Sequence, residues 1–299
     1  MAEEVWPDAE PFSFEGGKTG VLVVHGFTGC TQSMLPLGEK LAAAGFTVLG
    51  PRLPGHGTTV KDMGTRTWRE WTGEAEKALQ ELLERCDKVF VTGLSMGGTI
   101  TCFLGERYAD EVAGLMPINA AVSKLNPMMP LTPVVKYVLK TIPGVGSDIK
   151  NPDAEESCYD KVPVAAAAEL YQLMKVTKAD IAKALEILGP KRSLVMLTPT
   201  DDDPPRGVDA KVIKSAAKTW PTRLRVLDWA AKAKAHPEWM AADGVHLAND
   251  GGIAGLTSMI SSVLDSAPAS PPATPAIPTT GSGGASRRRP ITASRMTVD

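Results

Sequence analysis

The residue best suited to chemistry is Ser95, which lies in the pattern Gly93-Leu94-Ser95-Met96-Gly97. A serine hydroxyl attacks a carbonyl carbon when a neighbouring base takes its proton. The pattern follows an apolar run at residues 88–92 and opens a helical pattern, so it predicts a strand-to-helix turn too tight for a side chain at Gly93 or Gly97. The turn also brings helix N-terminal N–H groups, which favour developing negative charge. We therefore predict that Ser95 is the nucleophile of an acyl-transfer reaction.

A second pattern predicts the donors that would stabilise the oxyanion of such a reaction. The segment His25-Gly26-Phe27-Thr28-Gly29 follows the first predicted core strand, at residues 20–24. Where a strand-to-helix turn carries a serine nucleophile, one oxyanion donor is the backbone N–H of the residue after the serine. The other is a backbone N–H from a loop that follows a neighbouring strand of the sheet. We expect the backbone N–H groups of Phe27 and Met96 to be the donors, and we interpret His25 as structural.

A serine nucleophile also needs a base, which is usually a histidine. His246 and His236 are the only histidines after Ser95. In enzymes with a nucleophile on a strand-to-helix turn, the nucleophile comes first along the chain, the acid second and the histidine last. His246 fits this order, because it lies between the last predicted strand and the last predicted helix. We predict His246 as the base. His236, which a proline fixes in a turn, and the loop residue His56 are interpreted as structural.

The acid that orients the base should follow the predicted strand at residues 193–198. Three aspartates, Asp201, Asp202 and Asp203, lie there in succession. A run of three acids is also typical of a solvated loop, and catalysis needs at most one of them. We predict Asp201, with its two neighbours as alternatives.

The elements around these residues alternate between strand and helix patterns. This alternation predicts a mostly parallel sheet with helices on both faces. Between about 119 and 190 the strand pattern disappears, and we expect an all-helical lid over a pocket mouth. The predicted strands are 20–24, 46–49, 88–92, 112–118, 193–198 and 223–227, and the predicted helices are 37–44, 68–85, 99–108, 165–174, 179–188, 208–218 and 252–264.

Composition and charge limit the classes of partner. The chain has 299 residues and a formal net charge of -2, which favours neither nucleic acid nor an anionic membrane as partner. The four cysteines have no metal-ligand spacing, and we expect neither a metal nor a cofactor. We find no secretory signal and no membrane span, and expect a cytoplasmic protein. Residues 1–265 are predicted to form one domain and residues 266–299 a disordered tail rich in Pro, Ser, Thr and Gly.

Residues 20 to about 183 resemble the bacterial monoacylglycerol lipase and carboxylesterase family of α/β-hydrolases. The resemblance rests on residues 25–29, on Pro54-Gly55-His56-Gly57, on residues 93–98 and on the lid segment at residues 146–153. It implies an α/β-hydrolase fold with a small helical cap. It also implies hydrolysis of short to medium acyl esters and monoacylglycerols, small-molecule substrates whose glycerol hydroxyls Asn119 and Glu156 would bind.

Residues from about 188 to 264 resemble instead the C-terminal half of SGNH-type hydrolase domains. The residues that carry this resemblance are 188–192, 226–229, 236–239 and 243–247. It implies Asp243 rather than Asp201 as the acid and keeps His246 as the base. On this interpretation the chain joins parts of two hydrolases near residues 183–193. The alternatives to an esterase are an acyltransferase that uses the same catalytic residues and an inactive hybrid.

Overall fold

The computed structural model describes residues 4–121, 128–144, 157–177, 193–197, 214–215, 217–219, 221, 224–239 and 250–266. The strands within these residues are β1 (Phe12–Phe14), β2 (Thr19–Val24), β3 (Thr47–Gly50), β4 (Lys88–Leu94), β5 (Gly114–Ile118), β6 (Thr141–Pro143), β7 (Lys161–Pro163), β8 (Ser193–Leu197) and β9 (Leu224–Leu227). The α-helices are α1 (Leu35–Ala43), α2 (Val60–Met63), α3 (Trp68–Arg85), α4 (Met96–Arg107), α5 (Thr132–Val135), α6 (Val164–Thr177), α7 (Trp229–Ala235) and α8 (Asp250–Ser266).

The central sheet has the strand order β1-β3-β2-β4-β5-β8-β9. β1 is antiparallel to β3, whereas the other neighbouring strands are parallel. Val24 in β2 lies opposite Gly93 in β4, so the segments that follow these two strands leave the sheet side by side. The mostly parallel sheet predicted from the sequence is confirmed.

Helices cover both faces of this sheet. Within β2, Val21 and Val23 pack on one face, and Leu22 and Val24 pack on the other. This alternation follows from the two-residue period of a strand, and both faces are apolar because both are covered. The first face packs against apolar residues of α1 and α8, and the second against those of α3, α4 and α6.

The helix α3 runs over the predicted range and shows how local sequence sets an element. Thr67 caps its N-terminus by accepting from the Glu70 backbone N–H, and the Glu70 carboxylate accepts in return from the Thr67 N–H. Its apolar side chains recur at helical spacing, so Trp71, Ala75 and Leu79 are all buried under the sheet.

The expectation of an all-helical lid is wrong. β6 and β7 form a two-stranded antiparallel sheet within that region, in addition to α5 and α6. Each of these strands has three residues and contains a proline, so neither carries a recognisable strand pattern. Only their mutual pairing, which joins segments about twenty residues apart, defines them as strands.

Three further differences concern single elements. α4 begins at Met96, three residues earlier than predicted, because the helix starts directly after Ser95. The strand β1 was not predicted. Within the predicted helix 208–218, the structure describes residues 214–215 and 217–218, and these are helical, as is the following residue 219. The predicted helix 179–188 lies outside the described residues.

Candidate active site

The turn that carries Ser95 connects β4 directly to α4. Ser95 has φ 54° and ψ −112°, a backbone conformation that side-chain-bearing residues rarely adopt. Such strain costs on the order of 1–3 kcal/mol and persists only where the surroundings enforce it. The serine is partly exposed, and its side chain makes no capping hydrogen bond to α4. The Ser95 hydroxyl therefore does not cap the N-terminus of α4 and is free of that hydrogen bond.

The glycines on either side of Ser95 are required by space. A Cβ atom added at Gly93 would lie 2.5 Å from the Gly97 carbonyl carbon. One added at Gly97 would lie 2.1 Å from the Val24 carbonyl oxygen. The predicted steric requirement is confirmed, since neither contact is possible without moving the backbone of β2 or of the turn.

The end of β5 holds the Ser95 backbone from the other side. The Ser95 N–H donates to the Ile118 carbonyl oxygen at 2.9 Å. The Ser95 carbonyl oxygen accepts from the N–H groups of Thr99 at 3.1 Å and Ala121 at 3.2 Å. Thr99 also donates its hydroxyl to the Ala121 carbonyl oxygen at 2.8 Å. These bonds fix the unusual backbone angles of Ser95.

The loop at residues 25–29 lies against the same serine. A Cβ atom added at Gly26 would lie 3.7 Å from the Ser95 Cβ atom, so the two backbones are close neighbours. Thr28 has a positive φ of 65°, and its hydroxyl donates to the Phe27 carbonyl oxygen at 2.6 Å. Met96 is the first residue of α4, and the first N–H groups of a helix have no acceptor within it. Both segments expected to supply oxyanion donors thus adjoin Ser95.

His25 has a structural environment. Its imidazole Nε2 accepts from the Leu53 N–H at 3.1 Å, so the ring proton is on Nδ1, which donates to the Gly26 carbonyl oxygen at 2.9 Å. The ring is 1% exposed, and this burial lowers its pKa to about 4. A neutral ring with both nitrogens engaged supports the structural interpretation of His25.

His56 belongs to a buried aromatic cluster behind the loop at residues 25–29. Its ring lies 5.0 Å from that of His25, 5.5 Å from that of Trp71 and 6.2 Å from that of Phe27, between ring centres. Its Nδ1 lies 3.3 Å from the Pro54 carbonyl oxygen, and burial keeps its pKa well below the ordinary value. The cluster packs behind Phe27 and restricts the position of this loop.

Sequence reasoning missed Tyr159, which connects three segments near the site. Its N–H donates to the Thr28 carbonyl oxygen at 3.3 Å. Its hydroxyl donates to the Gly55 carbonyl oxygen at 2.9 Å and accepts from the Thr58 N–H at 2.8 Å. No local pattern distinguishes this tyrosine, because its three partners lie 101 to 131 residues away in the chain.

Asn119 lies at the edge of the site. It follows β5 directly, has a positive φ of 44° and is exposed. The residue before it, Ile118, and Ala121, two residues after it, both bond the Ser95 backbone, so Asn119 lies near the predicted nucleophile. Glu156, the other predicted glycerol-binding residue, lies outside the described residues.

Among the predicted base and acid candidates, only His236 can be located. His246, Asp201 and Asp243 lie outside the described residues. His236 ends α7, stacks on the Trp239 ring at 3.9 Å and contacts the Glu238 carboxylate through Nδ1 at 3.0 Å. These contacts, all to residues two or three positions away, support a structural interpretation of His236.

The described residues offer no candidate for a metal site or a membrane span, and one of their buried cysteines is unreactive. Among these residues, no group of three or more His, Cys, Asp or Glu side chains could hold a metal ion. No helix in the described ranges is long and apolar enough to cross a membrane. Burial raises the pKa of the Cys102 thiol to about 12, which makes this cysteine a poor nucleophile.

Comparison with known proteins gives a family and several relatives. The sequence profile of the serine aminopeptidase S33 family matches residues 17–188. The chain is 45% identical over 186 residues to a thermostable monoacylglycerol lipase from Bacillus sp. (strain H-257), a match that covers 60% of this chain and 72% of the relative. It is 26% identical over 182 residues to a carboxylesterase from Bacillus subtilis (strain 168), which covers 60% and 71% respectively.

A solved structure extends the likeness beyond the family match. The structure comes from work on LipS and LipT, two metagenome-derived lipolytic enzymes. It superposes with a TM-score of 0.62 and 35% identity over 75% of this chain and 89% of the other. Nothing in these relatives supports the resemblance of residues 188–264 to SGNH-type domains, and β8 and β9 continue the same sheet beside β5.

The strained serine turn, the adjoining loop and the mostly parallel sheet therefore agree with the comparisons. The chain is a serine esterase or lipase of the α/β-hydrolase fold and belongs to the serine aminopeptidase S33 family.

Proposed function

We propose that this enzyme hydrolyses short to medium acyl esters, including monoacylglycerols, through a covalent acyl-enzyme on Ser95. The observation that carries the proposal is the backbone of Ser95, held at positive φ between β4 and α4 beside the loop at residues 25–29. A strained residue at such a junction exposes its hydroxyl at the edge of the sheet. The 45% identity to a monoacylglycerol lipase supports this substrate class.

In the proposed reaction, Ser95 Oγ bonds to the ester carbonyl carbon while His246 takes the hydroxyl proton. The N–H groups of Phe27 and Met96 hold the oxyanion of the tetrahedral intermediate. The bond to the alcohol oxygen then breaks, and the alcohol leaves with the proton from His246. Water attacks the acyl-enzyme, gives a proton to His246 and releases the carboxylic acid, and Ser95 recovers its proton.

An acid must orient His246 and stabilise its charged form, and we propose Asp201 for this role. Asp201 follows β8, whose neighbour in the sheet is β5, and the carboxyl end of β5 bonds the Ser95 backbone. Parallel strands end at the same edge of a sheet, which favours Asp201 over Asp243.

Asn119 and Glu156 are proposed to bind the glycerol hydroxyls. The exposed position of Asn119 near Ser95 supports its part of this proposal. The lid at residues 119–190 is proposed to cover the acyl pocket, within a domain of residues 1–265.

The experiment measures hydrolysis of p-nitrophenyl butyrate and of monoacylglycerols by the wild type, by Ser95→Ala and by a control, Ser258→Ala, at an exposed position on α8. We expect Ser95→Ala to lose activity by several orders of magnitude and the control to keep it. Equal activity of Ser95→Ala and the wild type would overturn the proposal. Absence of fluorophosphonate labelling at Ser95 in the folded wild type would favour an inactive protein.

A second experiment compares Asp201→Asn with Asp243→Asn. Asparagine keeps the shape of the side chain but removes the charge that stabilises a protonated histidine, so the true acid should lose about 10⁴ in kcat. We expect this loss for Asp201→Asn and nearly full activity for Asp243→Asn, and the reverse result would assign Asp243.

A further inference from the structure

The segment before β1 crosses the surface next to the candidate active site, and we name its residues 6–10 the strap. At one end, the Trp6 N–H donates to the Gly57 carbonyl oxygen at 2.8 Å. At the other end, the Glu10 carbonyl oxygen accepts from the Thr31 hydroxyl at 2.8 Å. The strand β1 then follows and pairs with β3. The strap is therefore fixed at both ends by residues distant in sequence and is part of the fold.

The middle of the strap packs on the turn that contains His56. Ala9 is fully buried, and a Cβ atom added at Gly57 would lie 2.2 Å from the Ala9 Cβ atom. Gly57 has a positive φ of 63°, so both its backbone conformation and its contact with the strap require glycine. The His56 ring in the same turn packs behind Phe27. The strap thus contacts the turn that restricts the loop at residues 25–29.

The strap also contacts the base of the lid at two points. The Trp6 ring is partly buried and makes an edge contact with the Tyr159 ring, with 4.8 Å between ring centres. The Asp8 carboxylate accepts from the Ser157 hydroxyl, two residues before Tyr159. Tyr159 in turn donates its backbone N–H to the Thr28 carbonyl oxygen. A single residue, Tyr159, therefore connects the Trp6 ring to the loop expected to hold the oxyanion.

The loop at residues 25–29 needs this support because its backbone is strained. Thr28 has a φ of 65°, which a β-branched residue rarely adopts. Strain of this kind costs on the order of 1–3 kcal/mol and persists only where the surroundings enforce it. The bond of 3.3 Å from the Tyr159 N–H to the Thr28 carbonyl oxygen fixes the strained residue from outside the loop. Because Phe27 directly precedes Thr28, the position of the Phe27 N–H depends on the same support.

We propose that the strap positions the loop at residues 25–29 for catalysis and that Trp6 is its positioning residue. The Trp6 ring holds Tyr159, and the Tyr159 N–H holds Thr28. The Phe27 N–H is thereby kept where the oxyanion forms. An oxyanion donor must lie about 2.7–3.1 Å from the oxyanion, so a small shift of this loop slows the reaction. The proposal rests on the proposed function, in which the Phe27 N–H is one of the two donors.

The test compares kcat and KM for p-nitrophenyl butyrate in the wild type, Trp6→Ala and Trp6→Phe, each below its unfolding midpoint. An oxyanion donor stabilises the transition state more than the bound ester, so a displaced donor lowers kcat and leaves KM nearly unchanged. We expect Trp6→Ala to lose about ten- to a hundredfold in kcat. Trp6→Phe keeps an aromatic edge against Tyr159 and should recover most of this loss. Unchanged kcat in a folded Trp6→Ala overturns the proposal.

The matched control is Trp68→Ala at the start of α3. Trp68 is likewise partly buried, and its ring makes an edge contact with Phe103 on α4, with 5.7 Å between ring centres. The substitution removes a comparable ring contact elsewhere in the molecule, so kcat should stay that of the wild type. An equal loss of kcat in Trp6→Ala and Trp68→Ala overturns the proposal, because general destabilisation then explains both. A raised KM with unchanged kcat in Trp6→Ala also overturns it.

A second pair of variants decides the question if Trp6→Ala does not fold. Asp8→Ala, at an exposed position, removes the acceptor of the Ser157 hydroxyl. It should lower kcat about threefold, since one exposed hydrogen bond contributes less than the packing of a ring. Glu4→Ala removes the same charge just outside the strap, also at an exposed position, and should leave kcat unchanged. Equal kcat in these two variants then overturns the proposal.

The outcomes separate the strap from the proposed function. If Ser95→Ala hydrolyses esters as fast as the wild type, the proposed function fails. If hydrolysis depends on Ser95 but kcat is indifferent to Trp6 and Asp8, only the role of the strap fails.

Discussion

At the scale of single residues, the effect of replacing a glycine should depend on the space around it. Gly97→Ala should lower kcat/KM for p-nitrophenyl butyrate about a hundredfold or more, because its Cβ must push the turn away from the Val24 carbonyl oxygen and displace the Met96 N–H. The matched control is Gly73→Ala within α3, where nothing lies within 4 Å of an added Cβ. This control should keep full activity and gain up to about 1 kcal/mol of stability. Equal kcat/KM for both variants would contradict the prediction.

The strain at Ser95 itself predicts a gain in stability when it is relieved. Glycine adopts positive φ freely, so Ser95→Gly should raise the free energy of unfolding by about 1 kcal/mol while abolishing turnover. Ser95→Ala keeps a Cβ atom and hence the strain, so urea unfolding should show little or no gain for it. An equal gain in stability for both substitutions would mean that the Ser95 hydroxyl, rather than its backbone conformation, destabilises the folded protein.

His25 makes stability depend on pH in a defined direction. Its folded pKa of about 4 lies below the ordinary value of 6.5, so the unfolded chain binds more protons between these values. The stability from the neutral ring is complete above pH 6.5 and is lost as the pH falls toward 4. His25→Gln should be less stable at pH 7 but lose less on acidification, as measured by urea unfolding across this range. An unchanged dependence of stability on pH in His25→Gln would contradict the prediction.

At the scale of elements, Tyr159 connects the base of the lid to the loops behind Ser95. Tyr159→Phe removes the hydroxyl bonded to Gly55 and Thr58, and leaves a buried carbonyl oxygen and N–H without this partner. We expect a loss of about 1–3 kcal/mol in the free energy of unfolding. Tyr137→Phe is the matched control because this ring is 76% exposed, and it should unfold like the wild type. A similar midpoint for both variants would show that the connection contributes little.

Some strands and helices could be predicted from their own residues, and others could not. β2, β4 and α3 are set by local patterns: apolar runs long enough for a buried strand, and a capping box before an amphipathic stretch. β1, β6 and β7 have three residues each and no such pattern. They are strands only because a partner lies beside them, so a window of local sequence does not reveal them.

At the scale of the whole molecule, the hydrolase domain is predicted to be independent of the last residues of the chain. The last described helix, α8, ends at Ser266 and packs its apolar face against α1 and the sheet. A chain that ends at residue 266 should therefore keep the thermal unfolding midpoint and the kcat/KM of the full chain. Removal of α8 as well should prevent folding, because Ile260 and Leu264 are fully buried. A truncation at residue 266 that unfolds would place residues 267–299 within the domain.

The sequence by itself determined the fold class and the candidate nucleophile. Ser95, its glycines and the loop at residues 25–29 can be identified because their patterns are contiguous and their positions follow from the strands just before them. The same local patterns favour structural interpretations for His25 and His56. Each inference rests on residues within one turn and one adjoining strand.

Only the tertiary structure decided how these parts hold one another. The bonds from the Ser95 backbone to Ile118 and Ala121, the accepting nitrogen of His25 and the three partners of Tyr159 all join segments far apart in the chain. The burial of Met129 in the same apolar cluster as Met96 likewise joins the lid to the distant Ser95 turn. Such contacts follow from packing, in which many side chains settle together, and no local pattern encodes them.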